Sequence, residues 1–181
     1  MVGDVSINIL GPFELWVGGR DLAPTAPKQR QVLAMLAQRR NSIVQTHDLI
    51  MEIWGQAPPK SVSTTLQTYI YKLRKVFNEN GHVDLLQTRG AGYVLCVSDE
   101  QLDLGRFEAE YTKGCRLADE GNTERASVVL AEALLLWRGA PLADVPQGEF
   151  LGAFATHLEE RRNQALERHI DVELLDRKSV V

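Results

Sequence analysis

The sequence is poor in cysteine, in long apolar runs and, over one stretch, in negative charge. Its 181 residues hold two cysteines, Cys96 and Cys115, with no metal-ligand spacing around either. A reduced, cytoplasmic setting, with both as small packing residues, accounts for them. No apolar run approaches the roughly 20 residues that cross a bilayer, so no membrane partner is expected. The opening MVGDVSINILGPFEL lacks the basic segment and long apolar region of a secretory signal. Catalytic signatures are missing too: there is no GxSxG, HExxH or GxxxxGK[ST]. The four histidines, His47, His82, His157 and His169, stand at no metal-ligand spacing. We therefore expect no enzyme, no metal and no cofactor.

What is present is ordinary for a globular chain, 44% hydrophobic and 24% charged. The net charge of −4 conceals an asymmetry, since residues 1–98 hold 10 Lys and Arg against 7 Asp and Glu, and residues 99–181 hold 10 against 17. Such a division predicts two modules with different partners, 1–98 and 99–181, with SDEQ (98–101) at the boundary. Nucleic acid, if bound, must be held by a local patch rather than by bulk charge.

VSINIL (5–10) and FELWV (13–17) alternate apolar with polar residues and read as short antiparallel strands. A helix is expected over about 26–39, with Thr25 as its cap and Pro27 in its first turn. SIVQ (42–45) is β-like, and Thr46 can cap a short helix through HDLIMEIW, which Gly55 and Pro58-Pro59 end. Ser61 can cap the next helix, about 62–78. LLQTRGAGYVLCV (85–97) reads as a hairpin around Arg89-Gly90-Ala91-Gly92, the glycines supplying positive φ. Beyond about 103 the texture is helical. Helices at 103–121 and 122–139 form an antiparallel pair, and a third runs from about 147 to 177 through Phe150, Leu151, Phe154, Leu158, Leu166, Ile170 and Leu174. Ala126, Leu130, Ala133 and Leu134 match the second helix of a tetratricopeptide repeat, where small residues let paired helices approach; a generic helical hairpin is the plain alternative. Trp54 and Trp137 are expected to anchor one half each.

The helix at 62–78 has two faces. At 100° per residue Val62, Leu66, Tyr69, Ile70, Leu73, Val76 and Phe77 share an arc of about 120°. Opposite lie Thr64, Gln67, Thr68, Tyr71, Arg74 and Lys75, with Lys72 at the margin. No carboxylate occurs from Ser61 to Asn78. A face that merely solvates a helix would mix Glu with Lys; this one offers hydroxyls, an amide and cations. Thr and Gln can meet base edges, Thr and Tyr can meet phosphate, and Lys or Arg can serve either. Such a helix suits the major groove, about 12 Å wide, when its other face packs on its own domain. Arg89 at the hairpin tip would lie along the backbone or in a minor groove, and Lys60 stands where a phosphate near a helix N-terminus is expected.

Short helices with a two-faced third, then a glycine-pinned hairpin, describe a winged helix-turn-helix. Residues 5–98 resemble the winged-helix DNA-binding domain of OmpR/PhoB-type response regulators. The whole chain more closely resembles the Streptomyces antibiotic regulatory protein family, through INILGPFEL, APKQRQVLAMLA, the DLIMEIWG-x-x-PP segment, TLQTYIYKLRK and the wing TRGAGYVL. The acidic helices that follow resemble that family's bacterial transcriptional activation domain. The resemblance implies an α+β winged helix-turn-helix followed by an all-α, tetratricopeptide-like domain. It implies an activator of secondary-metabolite genes that binds double-stranded DNA at direct repeats near a promoter, recruits RNA polymerase holoenzyme and self-associates on DNA. Carried over by position, Thr64, Gln67, Thr68, Tyr71 and Lys75 form the reading face. Lys72 and Arg74 are then phosphate contacts, and Arg89 belongs to the wing. No receiver domain precedes residue 5, so control through a phosphoacceptor aspartate is not expected; the helical half is short and DRKSVV ends while helical, which suggests either truncation, the favoured reading, or a small natural protein. The competing reading is a winged-helix adaptor that binds no DNA. That reading would gain if Thr68 and Tyr71 packed against the helical half.

Overall fold

The computed structural model describes residues 4–179. The expectations that touch Met1–Gly3 and Val180–Val181, the missing secretory signal and the helical end, reach outside the described residues. Strands β1 (Val5–Asn8), β2 (Glu14–Val17) and β3 (Arg20–Asp21) form an antiparallel sheet in that order, with Val5 opposite Val17 and Ile7 opposite Leu15. The alternation in VSIN and ELWV turns Val5, Ile7, Leu15 and Val17 inward, as period-two patterning requires. Helices α1 (Pro27–Gln38), α2 (Thr46–Trp54) and α3 (Val62–Glu79) follow. Strands β5 (Leu86–Arg89) and β6 (Gly92–Leu95) make the wing, and β4 (Val44–Gln45) adds to it in the order β4-β6-β5. Then come α4 (Asp103–Asp119), α5 (Thr123–Leu135) and the long α6 (Glu149–Ser179). The chain is a winged helix-turn-helix followed by a helical, tetratricopeptide-like half. None of its helices among the described residues is long and apolar enough to cross a membrane.

The expected helix starts need correction. The cap of α1 is Ala26, whose carbonyl accepts from the amides of Gln29 and Arg30, so Thr25 caps nothing. The cap of α2 is Gln45; Thr46 is inside the helix, and its hydroxyl donates to the Ala91 carbonyl at 2.8 Å. Ser61 does occupy the cap position of α3, but its side chain makes no capping bond, the Thr65 amide closing on the Ser61 carbonyl instead. In each case a hydroxyl next to a helix start was a sound local signal, and backbone geometry or a tertiary partner took precedence. At the α4–α5 turn a side-chain cap does form, the Asn122 side-chain oxygen accepting from the Arg125 amide.

The two halves share one continuous hydrophobic core, running from Ile7, Phe13 and Leu36 through Leu104 and Phe107 to Trp137, Leu151 and Leu158. Trp137 meets Phe107 edge-on at 5.3 Å within it, whereas Trp54 is half-buried and stacks on Tyr69 at 6.2 Å. Two buried carboxylates join the halves. Glu52 on α2 accepts from the amides of Gly148 (2.7 Å) and Phe150 (2.8 Å) and, less closely, Leu151. It thereby caps α6 from the other half of the chain. The Gln31 amide donates to the Glu52 carbonyl at 2.9 Å and steadies the same turn. In the opposite sense, Asp103 on α4 accepts from the amides of Ile9 (2.9 Å) and Leu10 (2.8 Å) just past β1. Burial pushes the Asp103 carboxyl above its ordinary value, against the pull of those amides and of Arg138. The α5–α6 connection returns to the first sheet: the Arg138 amide donates to the Leu10 carbonyl and the Leu142 amide to the Ile9 carbonyl. Leu142 is fully buried there with φ +53, a left-handed backbone uncommon for a leucine.

Only part of α6 is covered. Leu151, Leu158, Ala165 and Val172 are buried, but Leu166, Ile170 and Leu174 are about half exposed, so the expected core face of this helix holds for its first half alone. Replacing Glu52 by Ala should strand the α6 amides and lower stability by about 2–4 kcal/mol, since each buried unpaired donor costs about 1–3. Chemical denaturation monitored by circular dichroism measures it. An unchanged midpoint would show that the amides do not depend on Glu52.

Candidate nucleic-acid interface

Helix α3 is set by its buried stripe. Leu66, Ile70, Leu73 and Phe77 are each at most 2% exposed and pack into the core, at the spacing that places them on one side of the helix. That phase leaves Thr64, Gln67, Thr68, Tyr71, Lys72 and Lys75 in solvent, with Tyr71 65% exposed. Lys60, on the α2–α3 loop, and Arg89, at the wing, are exposed as well. The Thr68 hydroxyl donates to the Thr64 carbonyl at 3.0 Å, which leaves its lone pairs free to accept. Glu79 lies just beyond the carboxylate-free stretch and pairs with Lys75 at 3.7 Å; both partners are largely exposed, and such a pair is weak.

Arg74 makes contacts that the sequence pattern did not show. Half-buried, it donates from Nε to the Leu86 carbonyl (3.1 Å) and from Nη2 to the Thr88 hydroxyl (3.0 Å). Helix α3 therefore carries the brace for the wing. At the wing, Arg89 donates from Nε and Nη2 to the Gln87 side-chain oxygen at 3.1 and 2.7 Å, which orders its guanidinium.

The glycines of the wing divide their work. Gly90 takes φ +56, as the tight turn demands, but Gly92 does not adopt positive φ. At Gly92 the need is for space, because a Cβ there would meet the Val44 carbonyl oxygen at 2.3 Å, where β4 crosses close to β6. Thr46 adds to this anchor through the Ala91 carbonyl.

Sequence reasoning passed over Lys28. It is exposed at the start of α1, its ammonium 5.1 Å from the Trp54 ring, and Trp54 stacks on Tyr69 of α3. The signal that could have found it is Trp54, an aromatic at the margin of its helix with a cation one helix away. The arrangement as a whole presents donors, acceptors and cations on one protruding helix, with a braced hairpin beside it. It holds no cluster of metal-ligating side chains among the described residues.

Comparisons with known proteins give two adjoining matches. Residues 20–95 match the family described as transcriptional regulatory protein, C terminal, and residues 102–178 match the bacterial transcriptional activator domain. The regulatory protein DnrI of Streptomyces peucetius is 37% identical over 177 residues, covering 94% of this chain and 65% of that one. The transcriptional regulatory protein EmbR of Mycobacterium tuberculosis is 38% identical over 159 residues, covering 86% of this chain and 41% of that one. A solved structure of Mycobacterium tuberculosis EmbR, in complex with a low-affinity phosphopeptide, superposes with a TM-score of 0.91 at 35% identity. It covers 95% of this chain and 46% of that chain. The chain thus spans under two thirds of the length of these relatives.

Leu66→Ala or Leu73→Ala should cost about 2–5 kcal/mol of stability, as emptied buried sites do. A melt unchanged by either would refute the helix phase. Arg74→Ala should loosen β5, costing about 1–2 kcal/mol and exposing the wing amides to faster hydrogen exchange. Protection equal to wild type would remove Arg74 from that role.

Proposed function

The chain belongs to the Streptomyces antibiotic regulatory protein family of transcriptional regulators, and from that premise we propose that it is a sequence-specific, DNA-binding transcriptional activator. Residues 1–98 are its DNA-binding part and residues 99–181 its activation part. The observation that carries the reading is the outer face of α3, free of carboxylates from Ser61 to Asn78 and exposed to solvent.

In this reading α3 enters the major groove of double-stranded DNA. Thr64, Gln67 and Thr68, with Tyr71 and Lys75 beyond them, face base edges and the flanking backbone. Lys60, Lys72, Arg74 and Arg89 meet phosphates, Arg74 through whatever donor its wing contacts leave open. The promoter sites are direct repeats, occupied by self-association of neighbouring copies. The acidic helical half turns toward RNA polymerase holoenzyme and recruits it, and the controlled genes serve antibiotic biosynthesis. The setting is cytoplasmic and no catalytic step is involved. The adaptor alternative would gain if the helical half covered Thr68 and Tyr71; both are exposed, which favours the DNA-binding reading.

The test is fluorescence anisotropy on the promoter region upstream of neighbouring genes, with an unrelated duplex alongside, across a salt series. Specific binding that survives moderate salt supports the reading. Equal, weak binding that vanishes with salt overturns it. Lys75→Ala and Arg89→Ala should weaken binding to every duplex and reduce the salt slope by about one each. Gln67→Ala should instead relax sequence preference by about 1–3 kcal/mol. Identical behaviour of the two groups would overturn this division of the face.

A further inference from the structure

The helical half carries a groove of about 420 Å³ between α4, α5 and the turn at Asp99–Gln101. Its floor is Gly105, Ala109 and Leu136, and its rim is Asp99, Glu100, Glu110 and Glu132, with Arg106 at one side. Arg106 is engaged by Asn8, Asp99 by Arg40 and Glu110 by Lys113. Glu100 and Glu132 have no ion pair among the described residues. Along α5 the apolar surface continues outward. Val128 and Leu135 lie four residues before and three after Glu132, hence on its face, at 55% and 79% exposure. A leucine that exposed, beside a groove with an apolar floor, is an unpartnered surface.

We propose that this groove and the adjoining face of α5 dock an amphipathic, basic helix of a partner protein. The inference rests on the activator reading above and names the chemistry of the partner that the helical half would hold. Charge complementarity selects the occupant. Aliphatic side chains of the incoming helix fill the floor over Leu136 and cover Leu135, while its Lys or Arg residues pair with Glu100 and Glu132. The same carboxylates repel DNA, so the groove and α3 address different partners without competing.

The probe is a labelled synthetic helix of Leu, Ala, Lys and Arg, titrated into the full chain, with a twin carrying Glu at the cationic positions. Wild type should bind the basic helix and not the acidic one. The double variant Glu100→Lys/Glu132→Lys should weaken binding by about tenfold, as loss of rim complementarity does, and Leu135→Ser should weaken it as well. The variant Glu160→Lys/Glu167→Lys changes the net charge equally on α6, away from the groove, and should leave binding intact. Equal loss in both double variants, or no binding by wild type, overturns the proposal. Transcription with RNA polymerase holoenzyme separates it from the premise. If wild type neither binds promoter DNA nor activates, the activator reading fails. If wild type activates and the Glu100/Glu132 variant, still folded and DNA-binding, activates equally, only the groove proposal fails. Loss of activation with DNA affinity retained supports both.

Discussion

The carboxylate of Glu52 is the interaction on which the remainder of the structure depends. Buried on α2, in the part of the chain that also carries α3, it receives the first amides of α6, the longest helix of the other half. Those amides have no partner within their own helix, and a charge so deep is tolerated only because they meet it. Asp103 repeats the arrangement in the opposite sense, reaching from α4 to the amides after β1. Each half thus completes backbone hydrogen bonding that the other leaves open. The shared core from Phe13 to Leu158 then closes around both contacts.

This coupling has a functional side. Helix α2 lies between α6 and α3: its Glu52 holds the start of α6, and its Trp54 stacks on Tyr69. Through Arg74, α3 in turn holds the wing. The outward face of α3 and the acidic surface of α4 and α5 therefore belong to one connected framework. That framework fixes the spacing between the two surfaces, and the function proposed above, DNA on one and protein on the other, would use it. Gly114 shows how closely the α4–α5 pair is made, since a Cβ there would stand 2.7 Å from Leu130.

Much of the candidate site was legible in the residues. The phase of Leu66, Ile70 and Leu73 was enough to put Thr64, Gln67 and Tyr71 outside, because 3.6 residues per turn leaves no other disposition once the apolar stripe is buried. The wing was legible from Gly90, whose positive φ a two-residue turn demands. The role of Gly92 was not, because the space it leaves is set by Val44, which is distant in sequence. Nor was the brace made by Arg74: an arginine on the margin of a helix looks solvent-directed until the hairpin that it holds is in place. The two-module expectation followed from charge, and charge is a property of surfaces. It carries no information about the apolar contacts beneath.

The sequence by itself determined the local periodicities, hence which elements form, which face of each is apolar, and the absence of negative charge on the exposed side of α3. These depend on residues a few positions apart, and their spacing is written in the chain. Only the tertiary structure decided what Glu52 and Asp103 do, that Thr46 anchors the wing rather than capping α2, and that Leu166, Ile170 and Leu174 stay half exposed while Val172 is buried. Such outcomes turn on pairs separated by tens of residues. A buried carboxylate and an amide lacking its partner are each unfavourable alone, and no local pattern tells which one will meet the other.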